Sequence, residues 1–194
     1  MIILKLGGSL LSSPLLREYL QLASEQGQGK LVIVPGGGVF AEQVRVTQKQ
    51  WLYDDRAAHV MAILAMQQMA VLFQSLCADL QLVSSLSDIP AKLQQGKVLI
   101  WSPLLAELDA DNVPASWDIS SDSLAAWLAS QLSASRLIVV KSAEIPATAT
   151  VAQLSNLGIL DKAFMNRVYN QSFTTECLSI KQIAQLAARL KYHV

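Results

Sequence analysis

Twice in its first forty residues the chain runs from a short apolar stretch straight into glycines and then into a helix-forming segment. Met1–Leu6 (MIILKL) ends at Gly7-Gly8, and Lys30–Val34 (KLVIV) ends at Pro35 and the triplet Gly36-Gly37-Gly38. Runs this short, apolar on both faces and closed by turn residues, read as buried strands of a parallel sheet. Only a strand covered on both sides can dispense with polar alternation. Ser12-Ser13-Pro14 offers a cap and a first-turn proline for a helix to about Gln26, closed by Gly27 and Gly29. A second helix is expected from about Val39 to Gln50.

Asp54-Asp55 opens the longest helical pattern, which reaches about Asp79 and leaves almost no polar face between Val60 and Leu76. Such a helix is central in the core or shared with a second subunit, and a chain this small favours the interface. Strands at Leu80–Val83 and Lys97–Trp101 flank a short helix around Ile89–Gln95. A loop over Asp109–Ser116 leads to a helix at Ser120–Leu132 and a buried strand at Arg136–Lys141 (RLIVVK). Val151–Leu157, Thr175–Ile180 and Lys181–Lys191 complete the pattern as helix, strand and helix. This alternation predicts an α/β fold: a three-layer α-β-α sandwich on a mainly parallel central sheet, one domain over residues 1–194.

Composition narrows the partners. Hydrophobic residues make up 52% of the chain and charged residues only 15%, against a usual charged share of about 25%. That imbalance points to a large apolar interface, hence a homodimer or higher homo-oligomer. Fifteen Lys+Arg balance fifteen Asp+Glu, which argues against a sequence-independent nucleic-acid binder, because counterion release needs a basic excess. Mean hydropathy is +0.35, yet Gln67 and Gln68 split the most apolar stretch, Val60–Phe73. It falls short of the roughly 18 uninterrupted apolar residues of a spanning helix. Lys5 and a glycine pair interrupt what would be a signal peptide's apolar core. No membrane partner and a cytoplasmic location are therefore expected. Cys77 and Cys177 stand far apart with no CxxC or HExxH, so no structural zinc is expected.

In open α/β sheets ligands bind beyond the carboxyl ends of the strands, where both glycine turns lie. Glycines let backbone amides approach a phosphate, and a helix start adds a favourable partial charge. Lys5, near the end of its strand, is placed to reach a transferring phosphoryl group; the plainer alternative is a tight turn with a snorkelling lysine. Three successive glycines exceed what a turn requires, so close approach of a ligand is the expected reason for Gly36-Gly37-Gly38. Two such turns on one sheet suggest two anionic partners face to face. Neither GxxxxGK[ST] nor GxGxxG occurs. A third segment, Trp117-Asp118-Ile119-Ser120-Ser121-Asp122, opens a helix. Asp118 or Ser120 suits its cap, whereas Asp122 is free to face a cleft, hold lysines or help bind a metal–nucleotide.

Together KLGGSLL, VIVPGGGVFAEQVR and WDISSDSLAAWLA resemble, in order, the amino-acid kinase family of acetylglutamate, carbamate, uridylate and aspartate kinases. They look most like its branch linked to methanofuran biosynthesis, which phosphorylates (5-(aminomethyl)furan-3-yl)methyl phosphate to the diphosphate. The resemblance implies a kinase using ATP and Mg²⁺ on a small phosphorylated or carboxylated acceptor. It implies that Lys5 neutralises the transferring group and that the amides of Gly7, Gly8 and Ser9 cradle nucleotide phosphates. Gly36, Gly37 and Gly38 would hold the acceptor, Asp122 would orient catalytic lysines, and Asp118 would fall at an acceptor-binding position.

The chain departs from that pattern where RLIVVKSAEI lacks the family's TDVDG-like segment. Lys141, at a strand end, is the better candidate for a second catalytic lysine; Lys162 (LDKAF) reads as a surface residue. The departure also motivates a second reading, a non-catalytic metabolite-binding subunit. A uridylate-type kinase would need a base pocket that no segment announces. Arg45 suits either an acceptor phosphate or a salt bridge with Glu42 one turn earlier. His59 reads as an acceptor-pocket residue or as a partly buried or interface histidine, and His193 as inert. Trp117 is expected to line the acceptor site, and Trp51, Trp101 and Trp127 to be core.

Overall fold

The computed structural model describes residues 1–146 and 148–191; His193 lies outside the described residues. Six strands form one sheet: β1 (Ile2–Leu6), β2 (Leu31–Pro35), β3 (Gln81–Val83), β4 (Leu99–Trp101), β5 (Arg136–Lys141) and β6 (Thr174–Ser179). Their order is β3-β4-β2-β1-β5-β6 and every pairing is parallel. The helices are α1 (Leu15–Gln26), α2 (Gly38–Trp51), α3 (Asp55–Leu76), α4 (Ile89–Gln94), α5 (Leu105–Ala110), α6 (Ser121–Gln131), α7 (Val151–Asn156), α8 (Phe164–Val168) and α9 (Ile183–Lys191). The expected three-layer α/β sandwich is present.

Side-chain alternation splits the core in two. Ile3, Val32, Val34, Leu99, Trp101, Leu137 and Val139 face α6 and α8 on one side. Ile2, Leu4, Leu6, Leu31, Ile33, Ile100, Ile138 and Val140 face α1 and α9 on the other. That parity positions the chemistry. Lys5 follows Ile3, and Lys141 follows Leu137 and Val139, so both lysines fall on the α6 side at the carboxyl ends of neighbouring strands.

Some expectations are corrected. Residues 105–110, partly assigned to a loop, form α5, and α8 was not anticipated; helices of six and five residues are too short to display a 3.6-residue period. The long helix ends at Leu76 rather than near Asp79, because Cys77 turns extended and its amide caps Phe73 and Gln74. Trp51 is 71% exposed and not core. It ends α2, whose one buried side chain is Val44, so the helix runs past the edge of the core. Trp101 and Trp127 are buried as expected, their ring centroids 5.9 Å apart.

Helix α3 has the length and apolarity of a membrane span, but Ile63, Met66, Met69 and Phe73 commit one face to the core. Its outer face leaves Leu64 and Val71 exposed, and α2 leaves Val39 and Val46 exposed. Leu52, at φ 56° in the left-handed region, is exposed as well.

Candidate active site

At the carboxyl ends of β1, β2 and β5 lies a cleft of about 430 Å³ lined by both glycine turns, the start of α6, and α2 and α3. Connections leave β1 toward β2 on one side, while β5 returns on the other, so the cleft sits at the reversal of strand order where open α/β sheets bind ligands.

Its floor is a charged triad. Asp122 is the second residue of α6 and is buried; Lys5 Nζ lies 2.6 Å from its Oδ1, and Lys141 Nζ lies 2.6 Å from its Oδ2. Lys5 has 3% of its side chain exposed and Lys141 19%. Burial lowers the Lys5 pKa, with Asp122 opposing that effect and Lys141 adding to it. Burial alone would raise the Asp122 carboxyl, but Lys5 and Lys141 together hold it below its ordinary value. Two ammonium groups share one carboxylate, and both lysines border the cleft. The excess positive charge in a poorly hydrated place favours an arriving anion.

The glycine turns meet each other. A Cβ on Gly8 would stand 2.2 Å from the Gly38 nitrogen, and one on Gly36 would stand 2.4 Å from the Gly8 nitrogen. A Cβ on Gly37 would meet Ala41 at 2.4 Å, and Gly38 adopts φ +57°. This adds a packing reason for the triplet, whose three glycines also line the cleft. The glycines are required first for turn-on-turn packing and for the entry into α2, and an alanine at position 8 would force the turns apart. The cradle is also narrower than expected. The Gly7 amide donates to the Val140 carbonyl at 3.1 Å, and Gly7 does not line the cleft. The amides of Gly8 and Ser9, opening the 3₁₀ turn Gly8–Ser12, have no acceptor among the described residues. The Ser9 and Ser142 hydroxyls hydrogen-bond at 2.8 Å, linking the ends of β1 and β5.

The side walls hold other expected residues. The Arg45 guanidinium stacks 4.2 Å above the Trp117 ring centroid and makes no ion pair with Glu42. The Trp117 indole donates to Gln48 Oε1 at 2.6 Å, which fixes the ring. Glu42 and Asp55 also line the cleft. His59 is buried there, its Nε2 without a partner among the described residues. Burial and then the Arg56 cation lower its pKa, against a smaller pull from Asp109, so the imidazole is neutral. Asp118 is not brought into the cleft. Its carboxylate pairs at 3.2 Å with exposed Lys162. Asp161, which no motif announces, accepts hydrogen bonds from Ser120 and Ser123 at the head of α6.

The free amides, the cationic pair and the cleft fit the phosphates of a nucleotide. Among the described residues no three His, Cys, Asp or Glu side chains converge on a metal position.

Residues 1–145 match the model of the amino acid kinase family. The chain is 31% identical over 139 residues to the [5-(aminomethyl)furan-3-yl]methyl phosphate kinase of Methanocaldococcus jannaschii, covering 71% of this chain and 63% of that protein. The chain thus spans less than two thirds of that relative's length. In fold it is similar to the uridylate kinase of Archaeoglobus fulgidus, with a TM-score of 0.71 at 17% identity over 96% of this chain and 95% of that one. It is likewise similar to isopentenyl phosphate kinase, with a TM-score of 0.68 at 15% identity over 98% and 96% of the two chains.

Proposed function

Since the chain belongs to the amino acid kinase family, we propose that it transfers the terminal phosphoryl group of ATP to a small phosphomonoester, with [5-(aminomethyl)furan-3-yl]methyl phosphate as the leading acceptor. The observation that carries this reading is the pair of lysines, each 2.6 Å from Asp122, beside the unpartnered amides of Gly8 and Ser9. The identity of the relative supports the acceptor class. Arg45, seated over the Trp117 ring, can offer its guanidinium N–H groups to an acceptor phosphate, and Glu42 and Asp55 offer carboxylates to an ammonium group.

In the reaction an acceptor phosphate oxygen attacks the terminal phosphorus of ATP. A new P–O bond forms as the bond to the bridging oxygen breaks, and ADP leaves with the electron pair. An ionised phosphomonoester has no proton to lose, so the site needs no general base and no side-chain nucleophile. Lys5 and Lys141 neutralise the charge that gathers on the transferring oxygens, Asp122 aims them, and the Gly8 and Ser9 amides fix the donor phosphates. Mg²⁺ bound to the nucleotide supplies further charge neutralisation.

ADP release measured across phosphomonoesters and carboxylates with Mg-ATP tests this. Turnover is expected with a phosphomonoester and not with its dephosphorylated parent. Absence of ADP release with every acceptor, alongside acceptor binding in calorimetry, would instead support the non-catalytic binding subunit, which no structural observation now favours.

The same reading includes a homodimer. Val46, Leu64 and Val71 on α2 and α3, with Leu52, are exposed apolar side chains that a second copy would cover. Light scattering is expected to give about twice the chain mass of 21.1 kDa; a monomeric mass at micromolar concentration would remove this element.

A further inference from the structure

The segment between α7 and α8 lies beyond the span matched to the family, yet it grips the helix that carries Asp122. Asp161 Oδ2 accepts from the Ser120 amide at 2.9 Å, the Ser120 hydroxyl at 2.7 Å and the Ser123 amide at 3.0 Å. Its Oδ1 accepts from the Ser123 hydroxyl at 2.5 Å. Ala163 adds a bond from its amide to the Asp118 carbonyl at 3.1 Å. Ser120 and Ser123 bracket Asp122 in sequence, so the gripped turn is the one on which the triad's carboxylate rides.

First-turn amides have no partners inside their own helix, and a carboxylate there satisfies them while meeting the positive end of the helix dipole. An untethered first turn frays. Fraying here would shift Asp122 relative to two ammonium groups that it meets at 2.6 Å. A misplacement on the order of 1 Å costs such a site about a hundredfold in rate.

We propose that Asp161 is a positioning residue for phosphoryl transfer, clamping the start of α6 through Ser120 and Ser123 so that Asp122 stays locked between Lys5 and Lys141. The clamp also contributes charge. Burial lowers the Lys5 pKa; Asp122 is the first group to oppose it, and Asp161 adds to that opposition. The inference rests on the kinase reading for its kinetic consequence, but the clamp itself has a signature that needs no substrate.

The test compares Asp161→Asn, Asp161→Glu and Ser123→Ala in the intact chain. Two quantities are read: steady-state kinetics with the acceptor found above, and titration of the Lys5 Nζ by side-chain nitrogen NMR. Asp161→Asn is expected to lower kcat roughly 10- to 100-fold while KM for both substrates stays within about threefold. Its Lys5 titration should move to lower pH, the sign expected when a neighbouring negative charge is removed. Ser123→Ala keeps that charge and gives up one of four bonds, so its Lys5 titration should match wild type. Asp161→Glu retains the charge and should recover part of kcat, and it serves as the readout if Asp161→Asn fails to fold. An unmoved Lys5 titration in Asp161→Asn, or Ser123→Ala reproducing both effects, would overturn the clamp. If wild type transfers no phosphoryl group to any acceptor, the kinase reading fails alone, because the Lys5 titration still decides the clamp.

Discussion

Asp122→Ala is expected to lose stability and turnover together. The carboxylate is buried and is the shared counter-ion of Lys5 and Lys141, with Lys5 itself only 3% exposed. Removing one member of a buried ionic cluster strands the others, at a cost of about 3–5 kcal/mol. For a chain of this size that corresponds to a fall in Tm on the order of 10 °C. Turnover should drop by roughly 10²- to 10³-fold, because the lysines lose the group that aims them. The sign of the pH dependence follows from the Asp122 carboxyl lying below its ordinary value under the influence of its lysines. A depressed carboxyl stabilises the fold fully above its unfolded pKa of about 3.9, and the contribution fades as pH falls through the lower folded value. The part of the Tm gap that comes from the Asp122 carboxyl should therefore be fully present above a pH of about 4 and fade only under stronger acid. Equal Tm values at neutral pH would refute the buried-triad account.

Lys5→Met should separate the two effects. It removes a charge whose burial is unfavourable, as its lowered pKa records, and it leaves Asp122 paired with Lys141. Because Asp122 keeps Lys141 as a counter-ion, the loss should be smaller than the about 3–5 kcal/mol of a fully broken buried pair. Tm is expected to stay within a few degrees of wild type, while kcat falls about 10²- to 10³-fold with little change in acceptor KM. A folded Lys5→Met variant with normal turnover would exclude Lys5 from the reaction.

Part of this site is legible in the sequence itself. Strand parity places Lys5 on the face of Ile3, and Lys141 on that of Leu137 and Val139, because a period of two needs no knowledge of neighbours. Asp122 is legible as the acidic residue that capping leaves over, since Ser120 is the cap. What stays hidden is long-range. No local pattern shows that Gly8 and Gly36 are small for each other's sake, or that the Gly7 amide is taken by Val140. Asp118 carries the motif position but turns outward to Lys162, because an exposed pair forms where the chain returns forty residues later. Asp161 is illegible for the same reason: its partners Ser120 and Ser123 lie about forty residues earlier in the chain.

Binding geometry tests the central claim most directly. In a crystal of the intact protein with a non-hydrolysable ATP analogue and Mg²⁺, the terminal phosphate should lie within hydrogen-bonding distance of both Lys5 and Lys141, with the adjacent phosphates on the Gly8 and Ser9 amides. A nucleotide seated elsewhere, or a terminal phosphate touching neither lysine, would contradict the account.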